Sequence, residues 1–141
     1  MDKEKVIEVL NRALENEYAG VVRYSHYSLM IFGFNRIPIV KWFRENSLES
    51  LTHAEQFGEK ITALGGHPSL KMGPLLETHQ HSITDILNES LVHEREQVKT
   101  LNELLKLVDG KDVHLEEFTR MMIEDETEHI YEVEKMLRKP E

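Results

Sequence analysis

The chain contains no cysteine, which excludes disulfides, iron–sulfur clusters and thiolate-held zinc and leaves carboxylate and imidazole as the strong metal donors. It has no apolar run long enough to cross a bilayer, and its start, Met1-Asp2-Lys3-Glu4-Lys5-Val6, lacks the basic-then-apolar order of a secretion signal. These absences predict a cytoplasmic protein with no membrane partner. Positive charge is also in short supply, 17 Lys and Arg against 26 Asp and Glu for a formal charge of −9, with no basic tail. That balance argues against nucleic acid and suits cations. Glycine and proline number only 7 and 4, and nearly all fall between residues 33 and 74 or at the C-terminal edge. The rest of the chain is free to form long helices, and no strand pattern is present. A length of 141 residues fits one domain over residues 1–141.

Four helices are expected. The first runs from about Asp2 to Phe32, with Val6, Leu10, Ala13, Val21, Tyr24 and Ile31 at steps suited to one face. The second begins near Pro38, carries Phe43, Ser47, Ala54, Phe57, Ile61 and Leu64, and stops at Gly65-Gly66. Ser82, with Asp85 three residues on, caps a third, which includes Leu87, Leu91, Val98, Leu101 and Leu105 and ends at Asp109-Gly110. The fourth continues from about Asp112 through Leu115, Phe118, Met122, Val133 and Met136. The link over residues 65–81 is too long for a tight turn and reaches on the order of 55 Å when extended. It can therefore return along the bundle, which predicts an all-α four-helix bundle of two antiparallel hairpins joined by a crossover.

Five polar residues interrupt the apolar faces near the helix midpoints: Glu17, His53, Glu94, Glu126 and His129. In antiparallel packing these midpoints share one level, so the five groups should converge. Burying three carboxylates together without a cation costs several kcal/mol each or forces protonation. A loose internal repeat supports the convergence, because Glu17 precedes Ser50 by 33 residues and Glu94 precedes Glu126 by 32. Each hairpin thus offers one Glu and then an x-x-His pair, Ser50-x-x-His53 in the first and Glu126-x-x-His129 in the second. Paired Glu and Glu-x-x-His sets are the ligand pattern of di-iron and di-manganese bundles. His93, next to Glu94, is expected to point away from the centre. Arg23 and Arg95 are the cations considered as partners for an inward Glu. In the link, Glu77 with His79 and His81 could form a surface metal site, although a solvated loop is the simpler expectation.

Leu10-Asn11, Asn16-Glu17, Tyr24, His53-Ala54, Glu94 and Glu126-x-x-His129-Ile130, in this order across about residues 3–133, resemble bacterioferritin. The resemblance implies a ferritin-like bundle whose di-iron centre oxidises Fe(II) with O2 or H2O2 for storage or detoxification, within a homo-oligomeric cage. It implies Glu17 and His53 on one iron, Glu94 and His129 on the other, and Glu126 as the bridge. Tyr24 would hydrogen-bond a ligand or supply an electron; packing in the core is the other reading.

Three departures from the family bear on activity. Ser50 stands at the second bridging Glu, so ferroxidase activity is open and one or both ions should bind more weakly. If only one remains, the second hairpin's half is expected to hold it. Glu49, turned about 100° from residue 50, is not expected to fill the gap. Leu51 occupies the place of the family's haem-ligating Met, so haem is not expected. The sequence ends 12 residues after His129, without the family's short fifth helix, which leaves a dimer, a smaller cage or co-assembly with another ferritin-like subunit. The corresponding alternative function is a structural subunit with an incomplete or mononuclear site.

Overall fold

The structure, a computed structural model, describes residues 1–140 as four helices: α1 (Lys3–Met30), α2 (Arg36–Ala63), α3 (Ile83–Val108) and α4 (Val113–Leu137). No strand occurs among the described residues. Capping fixes three of the starts. Asp2 accepts from the Lys5 N–H, Ser82 from Asp85 and Asp112 from Leu115, each occupying backbone donors that a first turn leaves free. The Ser82 hydroxyl also donates to the Asp85 carboxylate at 2.7 Å, so the expected cap of α3 forms. Helix α2 begins two residues before the expected Pro38, which lies within its first turn, where a missing N–H costs little.

Helix α1 packs on α2, α3 on α4, and α1 on α3, whereas no Cα of α2 lies within 8 Å of a Cα of α3 or α4. A plain up-and-down bundle would set α2 beside α3, so residues 64–82 form a crossover. The α1–α3 pairing is antiparallel, as shown by Arg12 with Glu103, Asn16 with Gln97, and Arg23 with Glu89.

The crossover is tied along α1. Asn11 donates to the His67 carbonyl and accepts from the Ser69 N–H, and the Gly73 N–H donates to the Glu15 carbonyl at 2.8 Å. Gly73 permits this approach, since a Cβ there would lie 2.8 Å from Asn16 Oδ1 and 3.1 Å from Glu15 O. Further on, the buried Arg23 donates to the Pro74 and Leu76 carbonyls, and Thr78 donates to Glu89. Arg23 is thus a buried cation, but its carboxylate is Glu89 and not one of the five midplane groups.

The apolar interior is divided in two. One cluster gathers Val6, Leu10, Ala13, Phe57, Ile61, Leu104 and Phe118; the other gathers Tyr24, Tyr27, Phe43, Ile86, Leu87, Ile130 and Val133. The polar midplane residues separate them. Met136, expected on the inner face of α4, is 41% exposed near the helix end.

Candidate metal centre

The helix midpoints bring Glu17, His53, Glu94 and Glu126 into the interior, each no more than 7% exposed. Nδ1 of His53 lies 3.7 Å from Glu17 Oε2 and 3.7 Å from Glu126 Oε1. These separations are long for hydrogen bonds but suit donors sharing one cation, since ligand bonds of ~2.0–2.2 Å allow donor pairs up to ~4 Å apart. On the other side, Nε2 of His129 lies 3.8 Å from Glu94 Oε1. The Tyr24 hydroxyl sits between this pair, donating to Glu94 and 3.3 Å from His129 Nε2.

Glu17, His53 and Glu126 offer three donor atoms mutually within 4.8 Å. Without an ion the tighter group is therefore on the first hairpin's side, although the missing bridge at Ser50 suggests that the second half would be the better preserved. Glu126 accounts for the difference, because its Oε1 turns toward the His53 imidazole.

The electrostatics centre on Glu126. Burial raises the Glu17 carboxyl, and the neighbouring Glu126 charge adds to this, bringing it to about 8. Glu94 is raised well above its ordinary range by the same two causes. Burial disfavours the His53 cation, but its interactions with the nearby Glu126 and Glu17 carboxylates prevail and lift it to about 10. Burial also disfavours the Glu126 anion, yet the neighbouring Glu94, His53 and Glu17 favour it and hold it down at about 2. Without metal, one carboxylate is encircled by protonated neighbours. Ligation requires those neighbours to release protons.

Several members of the centre carry no motif. Gln97 donates to Glu17 Oε1 and to the Ala13 carbonyl, both at 3.0 Å, while Asn16 donates to Gln97 Oε1 at 2.9 Å. This chain fixes the direction of Glu17; its sequence signal is Gln97, a polar residue on the buried face of α3 three positions after Glu94. Trp42 stacks on His129 with centroids 5.4 Å apart and planes 6° apart. Asn46 on α2 lines the cavity, and its Nδ2 is buried with no hydrogen-bond partner, as is Glu126 Oε2.

The cavity is small and opens between α2 and α4. At its rim, Glu49 Oε1 and Asp125 Oδ2 lie 3.7 Å and 3.9 Å from His53 Nε2. Glu49 thus approaches the nitrogen opposite the one facing Glu17 and Glu126, and does not enter the Ser50 gap. Ser50 itself is packed against α1, where a Cβ on Gly20 would fall 2.6 Å from Ser50 Oγ and 3.3 Å from His93 Nε2. His93 packs within the bundle, its ring 6.3 Å from that of Tyr24, and does not line the cavity; burial and the Arg23 charge lower its pKa to about 4.

The donor set fits divalent iron: imidazole nitrogen and carboxylate oxygens, with an unpartnered buried carboxylate oxygen that a cation would satisfy. Together, fold and centre define a four-helix bundle with a carboxylate–histidine cluster at its midplane. The family model of the ferritin-like domain matches residues 7–141, and the chain belongs to the ferritin-like family as a bacterioferritin-like member.

The chain is similar to the bacterioferritin of Desulfovibrio desulfuricans, 28% identical over 131 residues, covering 91% of this chain and 72% of that protein. It is also similar to the Rhodobacter capsulatus bacterioferritin, 36% identical over 72 residues, 50% of this chain and 45% of that protein. Among solved structures, a ferritin-like diiron-carboxylate protein of Bacillus anthracis superposes with a TM-score of 0.91 at 25% identity, over 98% of this chain and 99% of that one. Rhodobacter capsulatus bacterioferritin, solved with a metal-free dinuclear site and haem iron, gives a TM-score of 0.84 at 26% identity, over 95% and 84%. A dodecameric thioferritin of Bacteroides fragilis shares the fold, with a TM-score of 0.86 at 23% identity over 97% and 86%.

Proposed function

We propose that this chain binds Fe(II) at the midplane and oxidises it with O2 or H2O2 for iron storage or detoxification. The observation that carries the reading is the convergence of Glu17, His53 and Glu126, with Glu94 and His129 beside them, in a cavity lined by no lysine or arginine to pair with its carboxylates. Glu17 and His53 hold one ion, Glu94 and His129 the other, and Glu126 lies between them.

Carboxylates stabilise Fe(III) over Fe(II), which favours oxidation. Each Fe(II) gives one electron, so a pair reduces one H2O2, taking up two protons to leave two waters. Tyr24, between Glu94 and His129, orients the Glu94 carboxyl and is placed to move a proton at that half. Glu49 and Asp125 at the rim attract the incoming cation. Leu51 offers no donor, so haem is not assigned to that position. Assembly as a homo-oligomer, or with another ferritin-like subunit, follows the pattern of oligomeric relatives such as the dodecameric thioferritin.

Ser50 favours a second reading, in which the chain is a structural or co-assembling subunit with a mononuclear or inactive centre. Anaerobic titration of metal-free protein with Fe(II), followed by measurement of oxygen consumption, separates the two. Two ions per chain with rapid oxidation support the dinuclear oxidase. One ion and slow oxidation transfer the assignment to the mononuclear subunit.

A further inference from the structure

Outside the midplane, a second cluster joins α1 to the crossover. His26 Nε2 lies 3.0 Å from Glu77 Oε2, and His81 Nε2 lies 3.4 Å from Glu77 Oε1. The imidazole rings meet at 71° with centroids 5.6 Å apart, so both present Nε2 toward one carboxylate. The three donor atoms lie mutually within 4.8 Å. His81 Nε2 is shut off from solvent and has no hydrogen-bond partner, an arrangement that leaves a lone pair or an N–H unused.

The backbone supports this convergence. His79 adopts the left-handed region at φ 57, uncommon for a residue with a Cβ, and its N–H donates to Glu77 Oε1 at 2.5 Å. That turn brings His81 back over Glu77. His26 stands two residues after Tyr24, about 200° around α1, and so faces away from the midplane cavity. The sequence predicts a solvated loop, with Glu77, His79 and His81 as the alternative cluster; the cluster found uses His26 from another element, while His79 supplies only the turn.

We infer that His26, Glu77 and His81 form a surface site for Zn(II) or a similar divalent cation, which clips the crossover to α1. Two imidazoles and one carboxylate are a common zinc donor set, and tetrahedral bonds of ~2.0–2.1 Å separate donors by ~3.3 Å, near the spacing of both His–Glu pairs. His26 and Glu77 side chains are 43% and 38% exposed, which leaves a fourth position to water. The ion joins residues 51 or more positions apart in sequence and so restricts the crossover.

The test is Zn(II) titration of the full chain against a chromophoric chelator, using His81→Ala, the milder His81→Gln, and Glu17→Gln as a midplane variant. Circular dichroism verifies that each folds. We expect both His81 variants to lose one class of site, with affinity falling by ~100-fold or more, beyond the ~10–100-fold typical of losing an outer-shell partner. Glu17→Gln should retain that class. Zn(II) should also slow proteolysis within residues 77–81 of the wild type and not of His81→Ala. Isotherms unchanged by both His81 variants, or a surface class lost in Glu17→Gln, would overturn the assignment.

Discussion

The chain carries two carboxylate–imidazole clusters in opposite surroundings. At the midplane, Glu17, Glu94 and Glu126 are buried to within a few percent, and only His53 offsets them as a cation. At the crossover, Glu77 is partly exposed and lies between two imidazoles. Similar donors therefore face different physics. Desolvation governs the first cluster, so its proton content changes when metal binds; solvent screens the second, where geometry and chain closure set the effect. Buried crowding suits ion uptake and redox chemistry, and a hydrated clip suits restraint of a loop.

The sharpest contrast comes from Glu126→Ala. Glu126 is the hub of the buried centre, near His53 and linked electrostatically to Glu17 and Glu94. Its loss should weaken Fe(II) binding ~100-fold or more and abolish rapid oxidation, measured by equilibrium dialysis and oxygen uptake. The Zn(II) class at His26, Glu77 and His81 should remain. Loss of both would mean that the clusters are not independent.

The next effect is on pH. Glu17 at about 8 and His53 at about 10 are both raised above their ordinary values. Each contributes stability that is full below its unfolded pKa and is lost as pH rises through its folded one. Glu126, lowered to about 2, acts oppositely, but its contribution is lost only below about pH 4.5. The metal-free protein should therefore lose melting temperature between pH 5 and pH 9, by on the order of 10 °C. Glu17→Gln keeps an acceptor for Gln97 and should flatten the decline while impairing iron binding. Over the same interval iron affinity of the wild type should increase, because ligation displaces those protons. A melting temperature rising with pH in metal-free protein would contradict the crowded-carboxylate account.

A smaller effect is expected from Ser50→Glu, which restores the missing carboxylate. Ser50 packs on Gly20, so the longer side chain must turn into the cavity. Binding of the second ion should tighten by about tenfold, equivalent to ~1.4 kcal/mol, in the anaerobic titration. Unchanged stoichiometry and affinity would show that a water or another group already completes the centre.

The buried cluster was legible because its members break an apolar rhythm. Glu17 among Ala13, Leu14 and Val21, or Glu94 among Leu91 and Val98, stands out on a helix face that must be dry. The same logic gave the bundle and the crossover, since α-helical periodicity, the Ser82 cap and the long 65–81 link are local signals. The surface cluster had no such contrast. His26, Glu77 and His81 lie where polar residues are ordinary, and their convergence depends on the path of the crossover and the left-handed turn at His79. The placements of Glu49 and His93 were less legible for a related reason: sequence position gives a direction around the helix, but their approaches to His53 and Gly20 depend on how helices and rotamers pack.

The smallest effect concerns the two halves of the midplane itself, and Trp42 provides a means of separating them. It is the single tryptophan of the chain and stacks on His129, whereas His53 faces Glu17 and Glu126. Burial lowers the His129 pKa, so at neutral pH the stacked imidazole is uncharged and available as a ligand. A cation bound through His129 changes that ring's charge directly against the indole; one held by Glu17, His53 and Glu126 does so only at a distance. Titration with Zn(II), which brings no redox chemistry, should therefore change tryptophan emission mainly as the Glu94–His129 half fills. If the first-hairpin half is stronger, the emission change should lag behind the first equivalent bound to the midplane. Trp42→Phe should preserve the ion count and alter affinity at the second half by only about 2–5-fold, the lower part of the ~0.5–1.5 kcal/mol range of an aromatic contact, since Phe still offers a ring to stack. Emission that tracks the first midplane equivalent would reverse the order of filling, placing the stronger half with Glu94, His129 and the Tyr24 hydroxyl that lies between them.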